Sequence, residues 1–146
     1  MEIGKLLTQD RISFDLQGRN KEEVIDELIE ILYKDGAIKD KEGFKLAVMK
    51  REEEFSTGIG YGIGIPHGKS EAVYQAAIAF GISKDGINFN SMDGQPVNLI
   101  FLIAVPNKSD DIHLKILSFI SRRLMHSDVR DKLMKAQNYE DILEAF

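Results

Sequence analysis

The sequence VNLIFLIAV, residues 97–105, is the longest strongly apolar stretch of the chain. Only Asn98 interrupts this apolar run. A continuous apolar run of this length predicts a strand that is buried on both faces. Pro106 predicts the end of the strand, because proline has no N–H to donate to a sheet. The run is far too short to span a bilayer, so no membrane insertion is expected.

A second strand and two turns are predicted before this run. Residues 76–82 read AAIAFGI, which is typical of a strand, and residues 87–89 are expected to begin a strand that runs back. Asp85-Gly86 and Asp93-Gly94 are turn signals. Near the N-terminus, residues 11–16 alternate polar and apolar side chains, which predicts one more short strand.

Helices are predicted on both sides of these strands in the chain. Asn20, with Glu23 three residues later, predicts the start of a helix that Gly36 ends. The apolar stripe of this helix is formed by Val24, Ile25, Leu28, Ile31 and Leu32. A second helix is expected over about 41–53, with Phe44, Ala47 and Val48 facing inward. Three further helices are expected at about 110–125, 129–135 and 139–146, with Ser127 and Asn138 as candidate N-caps.

These elements, with the bulk composition, define the expected class of protein. The 146 residues correspond to one domain, residues 1–146, and we expect an α/β fold with a mixed β-sheet sandwiched by helices. The net charge of −5 argues against nucleic acid as a partner. The chain has no cysteine, which excludes disulfides, thiolate zinc sites and a cysteine nucleophile. A charged N-terminus without a signal-length apolar run predicts a cytoplasmic protein.

The segment STGIGYGIGIPHGKS, residues 56–70, carries most of the functional information. Its glycines at 58, 60, 62 and 64 alternate with bulky residues, so an extended chain would have one apolar face and one face of bare backbone. Either another element packs closely on the bare face or a ligand approaches it. The pattern does not predict a nucleotide loop, because Ile63 stands where a Walker A motif requires glycine.

His67 lies between Pro66 and Gly68, where strand pairing is predicted to stop. An imidazole at such a strand end is expected to be exposed and held in one direction, which favours a functional role. The alternative is a structural or merely solvated histidine.

His113 is predicted to lie in the first turn of the helix that begins near Asp110. It shares the inward stripe of Ile116, Leu117, Ile120 and Leu124, so it is either bonded to a carbonyl at the edge of the core or aimed at His67. A helix N-terminus favours anions, so an anionic group at His67 would be stabilised there. His126 is expected to stabilise a helix C-terminus or to be solvated. A zinc site of three histidines has no supporting ligand spacing, and no metal is expected.

These residues resemble a known family, the enzyme IIA domains of the bacterial sugar phosphotransferase system, fructose–mannitol type. The resemblance covers nearly the whole chain and is most specific in Arg51 to Lys69, where "RE" precedes "STGIG" and "GIGIPHGK". The second match is HLKILSFISRRL, residues 113–124.

The resemblance implies that His67 is phosphorylated, as a tele-phosphohistidine intermediate, without a cofactor. It implies phosphorylated HPr as the donor and a cysteine of an enzyme IIB as the acceptor, in the uptake of a fructose-like sugar or hexitol. His113 would be the supporting histidine and Arg51 the phosphate-binding residue.

Three other functions stay open at this stage. A nitrogen-regulatory enzyme IIA would also use His67 but would act by phosphorylation-dependent protein binding. A metal-dependent hydrolase would use the histidines as ligands. A purely structural interaction domain would take no label at any histidine.

Overall fold

A computed structural model describes residues 2–109 and 111–146 of the chain. The strands of the described residues are β1 (Ile12–Ser13), β2 (Gly58–Gly60), β3 (Ile63–Gly64), β4 (His67–Ser70), β5 (Ala77–Ile87) and β6 (Val97–Pro106). The α-helices are α1 (Ile3–Leu6), α2 (Lys21–Lys34), α3 (Lys41–Glu54), α4 (Ile112–Leu124), α5 (Ser127–Lys135) and α6 (Tyr139–Ala145). A short 3₁₀ turn, Gln9–Arg11, precedes β1. No helix in this part of the chain is long and apolar enough to cross a membrane.

The strands form one mixed sheet in the order β1-β5-β6-β3-β2, and β4 also pairs with β6. β6 is antiparallel to β5 and parallel to both β3 and β4. β3 and β4 therefore follow one another along the same edge of β6, separated only by Ile65 and Pro66. The predicted mixed α/β fold is confirmed.

The run at residues 97–105 is the central strand, as its composition predicted. Its side chains alternate between two cores, with Ile100, Leu102 and Ala104 on one face. Leu99, Phe101, Ile103 and Val105 pack on the other. The first core lies under α2 and α3, and the second lies under α1, α4, α5 and α6. Burying each large apolar side chain contributes about 1.5–3 kcal/mol, so neither helical layer can be removed without exposing one core.

Three of the four residues predicted to end or begin a helix are confirmed. The side-chain oxygens of Asn20 and Asn138 accept the N–H groups of Glu23 and Asp141, each at 2.9 Å. Gly36 follows α2 in the left-handed region, with φ of 83°. The prediction for Ser127 is wrong, because Ser127 is the first residue of α5 and His126 occupies the N-cap position.

Several predicted boundaries also need correction. Asp85-Gly86 does not form the predicted turn, because both residues lie inside β5. The pairing of β5 with β6 shifts register between Ile82 and Ile87, and the return strand begins only at Val97. The strand expected over 11–16 is limited to Ile12–Ser13. The helix expected from Asp110 begins at Ile112, and Asp110 itself lies outside the described residues.

The glycine-rich segment is a hairpin rather than one extended strand. β2 and β3 are antiparallel, and Tyr61 and Gly62 connect them with φ of 57° and 77°. Two consecutive positive φ values are the mark of a tight hairpin turn, and Gly62 supplies one of them without strain. Close packing, one of the two alternatives, is confirmed at Gly64, where an added Cβ would lie 3.1 Å from the ring of Phe89.

Candidate active site

His67 begins β4 directly after Pro66, opposite Ile103 of β6. Pairing with β6 stops at Pro66, which has no N–H, but resumes at once with His67. The histidine is therefore part of the sheet and not a free strand end. Its exposed fraction is 8%, so the prediction that it is exposed is wrong.

One hydrogen bond determines which nitrogen of His67 is reactive. The Nδ1 atom lies 2.9 Å from the carbonyl oxygen of Ile65. A carbonyl oxygen can only accept, so Nδ1 carries the proton and Nε2 keeps its lone pair. The ring is thus held in one direction, as predicted, with Nε2 as the available nucleophile.

His113 is the second residue of α4 and is half-buried. The ring centroids of His113 and His67 are 5.1 Å apart, with the planes at 77° to one another. Further along the same stripe of α4, Ile116, Ile120 and Leu124 are buried. Of the two positions left open for His113, the structure places it beside His67.

Arg51 lies in the last turn of α3, where its Nη1 donates to the carbonyl oxygen of Phe55 at 2.9 Å. Its guanidinium also lies 4.5 Å from the centroid of the Phe55 ring. The positive charge of Arg51 lowers the pKa of both His67 and His113, which places it within electrostatic reach of the pair. The guanidinium of Arg51 is thus held by Phe55, and its charge acts on both histidines.

Both histidines favour the neutral form that a nucleophile needs. Burial is the main cause that lowers the pKa of His67, while its bond to Ile65 acts in the opposite direction. Burial also lowers the pKa of His113, helped by His67, Lys69 and Arg51. At neutral pH the site therefore presents an uncharged Nε2, while the charges of Arg51 and Glu52 act on the pKa of His67 in opposite directions.

Lys69 and two exposed apolar side chains lie at the site but were not predicted from the sequence to belong to it. Lys69 lies two positions after His67 in β4, so the strand period places both on one face, and its charge acts on His113. Phe55 and Leu114 are 69% and 70% exposed, beside Arg51 and His113 respectively. Exposed apolar side chains of this kind are typical of surfaces that contact other proteins.

His126 is exposed between α4 and α5, and the structure does not bring it to the His67–His113 pair. Within residues 2–109 and 111–146, no three His, Cys, Asp or Glu side chains form a cluster that could hold a metal ion. The candidate site is therefore the histidine pair with its nearby cations.

If His67 accepts a phosphoryl group, as the resemblance in sequence implies, its lowered pKa predicts how the rate of acceptance depends on pH. The acceptance rate should rise with pH and reach half its maximum below the ordinary histidine value of about 6.5. Arg51→Ala should raise that midpoint, because one cause that lowers the pKa is removed. Rates from pH 4.5 to 8, with an NMR titration of the His67 ring, measure both effects. A wild-type midpoint at or above 6.5 would contradict this account.

An imidazole with a free lone pair, a second imidazole and two cations together form a site for receiving and holding an anionic group. Residues 5–146 match the family model described as "Phosphoenolpyruvate-dependent sugar phosphotransferase system, EIIA 2". The chain belongs to this family, whose members are phosphotransferase components that carry phosphoryl groups.

Two relatives illustrate the similarity in sequence. The chain is 42% identical over 144 residues to the fructose-specific EIIABC component of Bacillus subtilis, covering 99% of this chain and 23% of that protein. It thus spans about a quarter of that relative's length. It is 39% identical over 141 residues to the fructose-specific EIIA component of Haloferax volcanii, covering 97% of this chain and 92% of that one.

Two solved structures share the fold. The nitrogen regulatory protein IIA-Ntr of Neisseria meningitidis superposes with a TM-score of 0.90 at 29% identity, covering 98% of this chain and 97% of that one. The mannitol enzyme IIA of Escherichia coli, solved in complex with phosphorylated enzyme IIB, has a TM-score of 0.81 at 23% identity. That alignment covers 96% of this chain and 97% of that one, and it supports the fold alone.

Proposed function

We propose that Nε2 of His67 accepts a phosphoryl group from phosphorylated HPr and passes it to a cysteine of an enzyme IIB. The observation that carries this proposal is the bond from Nδ1 of His67 to the carbonyl of Ile65. It commits the proton to Nδ1 and leaves the tele nitrogen, Nε2, as the nucleophile beside His113.

The chemistry requires positioning and charge more than covalent work. The Nε2 lone pair attacks the phosphorus of the donor phosphohistidine; a new N–P bond forms, and the donor's N–P bond breaks with its electrons on the donor imidazole. In the second transfer the cysteine sulfur of the acceptor attacks the same phosphorus, and the electrons of the N–P bond return to Nε2. Arg51 and His113 donate hydrogen bonds to the phosphoryl oxygens during both the first and the second transfer.

The acceptor is proposed to serve a fructose-like sugar or a hexitol. The fructose-specific names of the Bacillus and Haloferax relatives support this assignment. The name of the Bacillus relative, an EIIABC component, supports an enzyme IIB as the acceptor. Both phosphoryl transfers need partner proteins that are found in the cytoplasm. We therefore propose that residues 1–146 form one IIA domain that acts in the cytoplasm.

A regulatory function is the second candidate. Its support is the TM-score of 0.90 to the nitrogen regulatory IIA-Ntr, a relative of known structure that is 29% identical. In that case His67 would still accept the phosphoryl group, but the phosphorylation state would control the binding of another protein.

Incubation with phosphorylated HPr, followed by mass spectrometry, tests the proposal directly. We expect one phosphoryl group on His67, labile in acid and stable in alkali as an N–P bond requires. Adding purified fructose and mannitol enzyme IIB domains should then remove the label. Loading without transfer to any sugar-type IIB would favour the regulatory function, whereas no label, or an acid-stable one, would contradict both.

A further inference from the structure

A buried carboxylate lies next to Arg51, on the side of α3 that faces the protein interior. Glu52 is 8% exposed, and its oxygens accept the backbone N–H of Thr57 at 3.2 Å and the hydroxyl of the same residue. The ammonium of Lys21 donates to Glu52 Oε2 at 2.9 Å, and both side chains are largely buried. An ion pair withdrawn from water in this way is stable only when its remaining hydrogen bonds are made, as they are here.

Thr57 connects this carboxylate to the histidine through the backbone. The carbonyl oxygen of Thr57 accepts the N–H of Ile65 at 3.0 Å. The carbonyl oxygen of Ile65 in turn accepts Nδ1 of His67 at 2.9 Å. A continuous series of hydrogen bonds therefore runs from Glu52 to the ring whose orientation defines the nucleophile.

Ile65 depends on this connection because it lies outside the strand ladder. Ile65 and Pro66 form the gap between β3 and β4, and Pro66 has no N–H to pair. The carbonyl of Pro66 accepts the N–H of Ile103 at 3.0 Å, which anchors the gap on its other side. The bond from Thr57 is thus one of the two backbone bonds that hold the segment carrying the acceptor for His67.

We propose that Glu52 is a positioning residue for phosphoryl transfer, which acts through Thr57 and Ile65 to hold the His67 ring with Nε2 available. The proposal rests on the proposed function of His67. A charged acceptor makes stronger hydrogen bonds than a neutral one, and the ammonium of Lys21 compensates the buried charge. Glu52 itself does not touch the reacting atoms.

Substitution of Glu52 and Thr57 tests this role with two measurements. Glu52→Gln should lower the transfer rate at saturating phosphorylated HPr by about 10- to 100-fold, because small misplacements of a nucleophile are costly. The KM for phosphorylated HPr should stay unchanged, because Glu52 is buried and does not meet the donor. In ¹⁵N NMR of the unphosphorylated protein, the Nδ1–H form of His67 should lose population, or its proton should exchange faster with water.

Matched variants separate positioning from stability. Thr57→Val removes the hydroxyl that bonds to Glu52 and should act in the same direction, whereas Thr57→Ser keeps the hydroxyl and should transfer at nearly the wild-type rate. Asp26→Asn removes a half-exposed ion pair with Lys45 between the same two helices and should change neither measurement. If Glu52→Gln does not fold, the same role is tested with the double variant Lys21→Met/Glu52→Gln and with the comparison of the two Thr57 variants.

The proposal would be overturned if the Glu52→Gln and Thr57→Val proteins folded, transferred at the wild-type rate and kept the His67 tautomer unchanged. Failure of the proposed function has a different signature, since the wild-type protein itself would then take no label at His67. The tautomer measurement needs no phosphorylation, so it decides whether Glu52 orients the ring in either case.

Discussion

Replacement of His67 by alanine is expected to reduce phosphorylation by HPr to background while the protein stays folded. The substitution removes the imidazole that the Ile65 carbonyl holds beside His113. The fold should survive because both hydrophobic cores are formed by apolar side chains, and the His67 ring belongs to neither. The Ile65 carbonyl would then lack its hydrogen-bond partner, which should lower the free energy of unfolding by about 1–3 kcal/mol.

Labelling with phosphorylated HPr measures the effect, and a urea titration verifies the fold. His126→Ala is the matched control, because His126 is exposed and lies outside the site. The control should accept the label at the wild-type rate. A folded His67→Ala protein that still accepts phosphate at a normal rate would refute the assignment of the nucleophile.

Replacement of His113 by alanine should slow phosphoryl transfer by about 10²–10³-fold, in acceptance, in donation or in both. This range is typical for the loss of one hydrogen-bond donor that stabilises a developing anion. The ring lies 5.1 Å from His67, centroid to centroid, in the first turn of α4, where an imidazole can support the phosphoryl group without bearing it. Single-turnover rates to and from the variant measure the effect.

A purely structural role for His113 predicts a different result. The variant would then lose about 1–3 kcal/mol of stability, while its folded fraction would transfer at the wild-type rate. His113→Gln retains an N–H donor and should recover part of the rate if hydrogen bonding is the cause. Unchanged kinetics with a lowered urea midpoint would remove His113 from the site.

Local patterns were sufficient for most features that depend on neighbours in the sequence. The apolar run at 97–105 correctly predicted the central strand, because a strand between two helical layers needs apolar side chains on both faces. The caps at Asn20 and Asn138 were correct because the bond spans only three residues. His113 and the apolar residues of α4 share one face for the same reason, since the helical period sets it.

Apart from the N-cap at Ser127, the main wrong predictions concern features that depend on residues distant in the sequence. Alternation from Gly58 to Ile65 favours an extended strand, but β3 pairs with both β2 and β6, so the chain must turn at Tyr61 and Gly62. Asp85-Gly86 is a turn signal, yet β6 is long enough to keep β5 paired past it. His67 is buried because β6 resumes pairing directly after Pro66. None of these partners is visible in a local window of sequence.

Periodicity and capping act within a few positions, so they predicted most strand and helix types and the α/β class, while the resemblance to the enzyme IIA family implied the roles of His67, His113 and Arg51. Only the packing of the folded chain brings the rings of His67 and His113 together and directs Nδ1 of His67 at the Ile65 carbonyl. The same packing buries Glu52 against Lys21 and Thr57. These arrangements depend on how sheet and helices pack, since packing alone brings distant residues within hydrogen-bond range and sets the burial that shifts a histidine pKa.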